Sequence, residues 1–140
     1  MIYTSYFAKL RSLSDRTVPI SICAKAPNWY AGAQYKVLAP KYDFFMKWKE
    51  NHDNDYYTRC FKEQVLSPLC VQDVLDALFS RIPSDKQELL MMRQCPWWES
   101  PDVDVILLCY EKLDSFCHRH LVADWFRENG IECLEYTFSK

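Results

Sequence analysis

One stretch constrains the fold more than any other. Val103-Asp104-Val105-Ile106-Leu107-Leu108-Cys109 is apolar apart from Asp104, the pattern of a strand buried on both faces of a parallel sheet. After a short polar loop, Leu121, Val122, Trp125 and Phe126 recur at helical spacing, and Asn129-Gly130 supplies a helix stop. Residues Ile131 to Phe138 then read as a returning strand. Strand, helix and strand at this length form a βαβ unit, whose crossover is right-handed. The expected fold is therefore α/β: a small, mainly parallel sheet flanked by helices, closed by a C-terminal βαβ unit.

The upstream sequence supplies partners for that unit. Ile2 to Tyr6 and Val18 to Cys23 are β-prone, with Pro19 acceptable only near a strand start or on an edge. Between them, Phe7-Ala8-Lys9-Leu10-Arg11 has room for one or two helical turns. Residues 24 to 40 read as a long aromatic loop of the binding type. Helices follow: one from about Tyr42 to Glu50, one capped by Asn54-Asp55 and carrying Tyr57, Phe61, Val65 and Leu66, and one beginning near Val71 and ending before Pro83. The third has the clearest stripe: Val71, Val74, Leu75, Leu78 and Phe79. Leu89 to Met92 fits a short strand or a short helix, and Pro96 to Pro101 a rigid aromatic loop.

A length of 140 residues matches one domain, 1–140. With 2 glycines and neither GxGxxG nor GxxxxGK[ST], a glycine-rich phosphate loop is excluded. A net charge of −2 does not call for nucleic acid, although a local basic patch would still serve. No apolar run reaches the length of a membrane span, and the first residues lack the pattern of a secretory signal, so a cytoplasmic protein without a membrane partner is expected. The 7 cysteines are odd in number and irregularly spaced. They read as buried thiols plus one or two that react or bind metal, rather than a disulfide framework.

In open α/β sheets ligands bind beyond the carboxyl ends of the strands. Cys109 ends the strand, residues 110 to 116 form the loop, and Cys117-His118-Arg119 opens the helix, with Asp114 or Ser115 as the expected N-cap. The amides and partial positive charge of a helix start favour anions and lower the pKa of a cysteine placed there. Cys117 is thus a candidate nucleophile or metal ligand, Glu111 and His118 candidate proton carriers, and Arg119, Ser115 and Lys112 candidate anion binders. Each has a bland counterpart: a packed core thiol at Cys109 or Cys117, a surface imidazole at His118 or His120, a solvated Glu111–Lys112 pair, an Arg119 that only bridges a neighbour.

Cys109, Cys117 and His118 also make a soft ligand set for zinc or iron. No CxxC pair supports it, the side chains of adjacent Cys and His leave a helix start in different directions, and His52 could join only through the fold. The cysteine-phosphatase template does not fit, because Cys117 and Arg119 are only two residues apart. The aromatic residues at 27–40 and Trp97-Trp98, with Lys25, Lys36 and Lys41, could stack on bases and meet phosphates, but the favoured reading is that they cap the core and cover the sheet.

Leu108-Cys109-Tyr110-Glu111-Lys112 followed by Phe116-Cys117-His118-Arg119-His120-Leu121-Val122-Ala123-Asp124-Trp125 resembles the Leu-Cys-x-Glu and Cys-His-Arg signature of the domain of unknown function 488 family. Tyr3-Thr4-Ser5-Tyr6-Phe7, Gln34 to Pro40 and Asp53 to Tyr57 extend the resemblance to its short form. Residues Pro83 to Asp102 are longer than the linker expected there and read as an insertion. The resemblance implies a small α/β fold in which Cys109, Glu111, Cys117, His118 and Arg119 share one pocket, and it names no substrate. The expected function is an enzyme acting on a phosphorylated small molecule, nucleotide or nucleic-acid end. The alternatives are a non-catalytic module for nucleic acid or protein, or a metal-binding protein.

Overall fold

The computed structural model describes residues 1–110 and 116–137. Five strands, β1 (Ile2–Tyr6), β2 (Thr17–Ser21), β3 (Ala33–Gln34), β4 (Asp104–Cys109) and β5 (Cys133–Glu135), form one sheet in the order β3-β2-β4-β1-β5. Every pairing is parallel. The helices are α1 (Tyr42–Asn51), α2 (Asn54–Phe61), α3 (Val71–Ser80), α4 (Ser84–Met91) and α5 (His118–Glu128), with a π turn over Lys62–Leu66 continuing α2. The chain is a small parallel α/β fold, as its apolar patterning predicts.

The apolar run at β4 is explained by its place. It lies between β1 and β2, and all six of its residues are buried. Val105 and Leu107 join one apolar cluster, to which every α-helix contributes: Phe44, Phe61, Leu75, Leu78, Leu90 and Phe126 among others. Ile106 and Leu108 point the other way into a smaller cluster. There Phe7, from a 3-10 turn over Phe7–Ser12, packs with partly buried Tyr3, Tyr30 and Tyr136. Asp104, the one polar residue of the run, is buried and paired with Arg16 at 3.3 Å.

Several boundaries differ from the sequence reading. Pro19 sits in the middle of β2, opposite Ile106 of β4. It is tolerated because β3 pairs only with Ile20 and Ser21, so the side of β2 facing β3 has no ladder at Pro19. The cap of α2 is Asp53, whose carboxylate accepts from the Tyr56 amide at 3.1 Å, while Asn54 instead accepts from Trp48 Nε1 at 2.8 Å. Residues 24–40 contain β3 and a 3-10 turn at Lys36–Leu38, and Leu89 to Met91 end a helix rather than form a strand. The final strand starts at Cys133, not Ile131. The Ile131 amide is used to close α5 by donating to the Phe126 carbonyl at 2.9 Å, with Gly130 at a φ of 79° making the turn. Past Glu135, Tyr136 leaves the strand and sets its ring edge-on to Tyr3.

No described helix is long and apolar enough to cross a membrane.

Candidate functional site

The site forms at the carboxyl end of the sheet, where β4 stops and α5 starts. Cys109 is the last residue of the central strand and has no exposed surface. Cys117 is the N-cap of α5 in place of the expected Asp114 or Ser115, with extended backbone at φ −154° and ψ 144°. The two cysteines are joined as a disulfide across a Cα separation of 7.3 Å.

The extended cap also settles how adjacent side chains meet. Because Cys117 is not yet helical, its sulfur and the His118 ring turn to the same side instead of diverging as expected. His118 Nδ1 lies 3.8 Å from the Cys117 sulfur. The ring's other nitrogen, Nε2, is 2.8 Å from the carbonyl of Ile22. A carbonyl can only accept, so Nε2 carries the proton and Nδ1 presents a lone pair. Burial lowers the His118 pKa to about 4, which keeps the ring neutral. Ile22 is itself fixed by its amide, which donates to Leu108 at the end of β4. One ligand atom each from Cys109, Cys117 and His118 lies within 4.8 Å of the others.

Arg119, expected to clamp an anion, faces away from open space. Its side chain is fully buried, with Nε and Nη2 donating to the two oxygens of Glu135 at 3.1 and 3.0 Å. Its Nη1 donates to the Cys109 sulfur at 3.0 Å. Thr4 donates to Glu135 at 2.7 Å, and the Tyr6 ring lies under the guanidinium. Arg119 thus holds the Cys109 sulfur from behind, and a guanidinium in that position favours the thiolate when the thiol is reduced.

A cavity of about 520 Å³ opens in front of the sulfurs. Cys109, Cys117 and His118 border it, along with Cys23, Lys25, Phe45, Trp48, Lys49, Tyr57, Tyr110 and Phe116. Of the sequence candidates, the structure therefore brings Cys109, Cys117 and His118 together at the cavity and sets Arg119 behind them. Glu111, Lys112 and Ser115 lie outside the described residues. His52 is exposed, with its ring edge-on to Trp48 at 5.2 Å, and takes no part in the cluster. Trp97 and Trp98 pack on Phe79 and the core, and Lys36 and Lys41 are not among the residues lining the cavity.

Sequence reasoning missed Glu135 and the α1–α2 wall. Glu135 had only a weak signal, as one of two acids, with Glu132, in the expected returning strand. Trp48 and Tyr57 had none, because their spacing is that of ordinary core residues.

Compared with family models, curated proteins and solved structures, the chain has no match in any of the three. Fold and site together define a class, a small parallel α/β protein with a two-sulfur, one-imidazole cluster at the carboxyl end of its central strand.

Proposed function

We propose that the reduced protein binds zinc through Cys109, Cys117 and His118, and that it is a metal-dependent enzyme acting on a small molecule held in the adjoining cavity. The observation that carries this reading is His118, whose Nε2–H is committed to the Ile22 carbonyl while Nδ1 faces the two sulfurs. A metal-ligating histidine is usually oriented in this way, by a hydrogen bond from its second nitrogen to a carbonyl or carboxylate. Zn–S bonds of about 2.3 Å and Zn–N bonds of about 2.0 Å place ligand atoms of one ion roughly 3.5–3.8 Å apart. The 3.8 Å from Nδ1 to the Cys117 sulfur suits that spacing.

The disulfide and the metal are alternatives. A dithiol reductant breaks the Cys109–Cys117 bond, supplying two electrons and two protons and becoming a disulfide itself. Zinc then displaces the thiol protons. The two thiolates would add two negative charges beside Arg119, whose own charge is already matched by Glu135. A divalent cation offsets that excess. Among the described residues the cluster supplies three ligands, the number found in catalytic zinc sites, which keep a position for water or substrate. Bound zinc supplies Lewis acidity and an acidified water.

The resemblance to the domain of unknown function 488 family enters the proposal here, since Cys109, Cys117, His118 and Arg119 of its signature are residues of this site. A cytoplasmic setting belongs to the same reading, because a reducing compartment keeps the two sulfurs open for metal. Iron is the other metal suited to such ligands.

Cobalt(II) titration of the reduced protein tests the reading. Thiolate-to-cobalt charge-transfer absorption and tetrahedral visible bands are expected, weakened in Cys109→Ser and Cys117→Ser and altered in His118→Gln. Spectra identical in all four proteins would refute the assignment.

A second reading rests on the disulfide itself: a thiol–disulfide exchange pair with Cys117, at a helix N-terminus, as the attacking thiol. It predicts equilibration with a glutathione buffer and no dependence on metal.

A further inference from the structure

We infer that the ligand of this cavity is a small aromatic anion, its ring lying against the α1–α2 wall and its carboxylate or phosphate directed to Lys25, Lys49 and the metal. The inference rests on the zinc reading and adds the chemical class of the substrate.

Size sets the first limit. A volume of about 520 Å³ falls in the range of small-molecule sites and is too small for a folded partner or a duplex. The wall sets the second. Phe45, Trp48, Tyr57 and Phe116 all border the cavity. Trp48 lies 5.7 Å from both Tyr57 and Phe116, and Phe45 stacks on Trp48 at 6.4 Å with 26° between the planes. Rings at these separations form a continuous aromatic surface, which favours another ring through stacked or edge-on contact.

Charge sets the third. Lys25 and Lys49 are the charged side chains among the described residues that line the cavity. Neither makes an ion pair with a described carboxylate. The Lys49 ammonium lies 5.1 Å from the centre of the Phe45 ring, so a cation sits directly at the aromatic wall. A ring with an attached anion satisfies wall and cations together, and its oxygen suits the open position of the metal. An uncharged ring would make no use of the two cations, and an anion without a ring would leave the wall in water.

The test uses the reduced, cobalt-loaded full chain and its visible spectrum. Benzoate and phenyl phosphate are titrated beside cyclohexanecarboxylate, benzyl alcohol and inorganic phosphate. A saturable spectral change is expected with an aromatic anion. Benzoate alone would assign the anion as carboxylate, phenyl phosphate alone as phosphate, and both support the inference. Lys25→Met and Lys49→Met should each weaken binding roughly tenfold, and Trp48→Leu should narrow the preference for benzoate over cyclohexanecarboxylate. Equal response to the ring-free anions or to benzyl alcohol overturns the inference. So does an intact cobalt spectrum that no probe perturbs, which leaves the zinc reading standing. A missing cobalt spectrum removes the zinc reading and this inference with it.

Discussion

The guanidinium of Arg119 holds the Cys109 sulfur, with Nη1 at 3.0 Å, while Glu135 engages its other two nitrogens. The interaction is buried and links the end of the central strand, the first turn of α5 and the edge strand β5. Removing the acid takes from a cation with no exposed surface the carboxylate that pairs with it among the described residues. Glu135→Gln should therefore destabilise the protein by about 3–5 kcal/mol in urea unfolding. A change under about 1 kcal/mol would show that the pair is solvated in solution.

Phe61 is the wall between the core and the site. It has no exposed surface, packs against Phe44 and Tyr57, and lies 5.6 Å from the His118 ring. Phe61→Ala should cost about 3–5 kcal/mol by leaving a cavity. It should also loosen metal binding, since His118 loses a neighbour that fixes its ring. Thermal unfolding and cobalt titration of the same variant read the two effects separately.

His118 makes the oxidised, metal-free protein sensitive to acid. Its folded pKa is depressed to about 4 from an ordinary 6.5, so between those values the unfolded chain takes up a proton that the folded chain does not. Stability is therefore full above about pH 6.5 and falls as pH drops toward 4, by on the order of 3 kcal/mol. Urea midpoints measured from pH 7 to pH 4 should show this slope, and His118→Gln should reduce it. An unchanged slope in the variant would assign the acid sensitivity to other groups.

Peroxide should release the metal. Two thiolates give up two electrons to form the Cys109–Cys117 bond, and hydrogen peroxide accepts them as it becomes water. Zinc release, followed with a chromophoric chelator, should match the amount of Cys109–Cys117 linked peptide found by mass spectrometry, and a dithiol should reverse both. The exposed thiols Cys70 and Cys95 are the competing targets, so the measurement belongs in a Cys70→Ser, Cys95→Ser background. Zinc release without the linked peptide would contradict the scheme.

The sequence reveals elements where burial imposes a simple period. β4 is legible because both faces are covered, and α3 because Val74, Leu75 and Leu78 all meet the core. Leu89 to Met92 is not, because only Leu90 is buried while Leu89, Met91 and Met92 are exposed, so hydrophobicity there carries no face. At the site, the grouping of Cys109, Cys117 and His118 is legible from strand-end and helix-start positions. The direction of Arg119 is not. It depends on Glu135, which reaches the site only because β5 pairs with β1 instead of β4. The convergence of Cys117 and His118 depends on one extended backbone conformation, which residue type does not encode.

The most direct measurement is metal content. Protein purified under reducing conditions, incubated with zinc and freed of excess, is digested for elemental analysis beside a Cys109→Ser, Cys117→Ser variant of confirmed fold. About one equivalent of zinc in the native sequence and its loss in the variant is the predicted result. Less than roughly a tenth of an equivalent in the native sequence, or equal zinc in both proteins, would contradict a metal centre at this site.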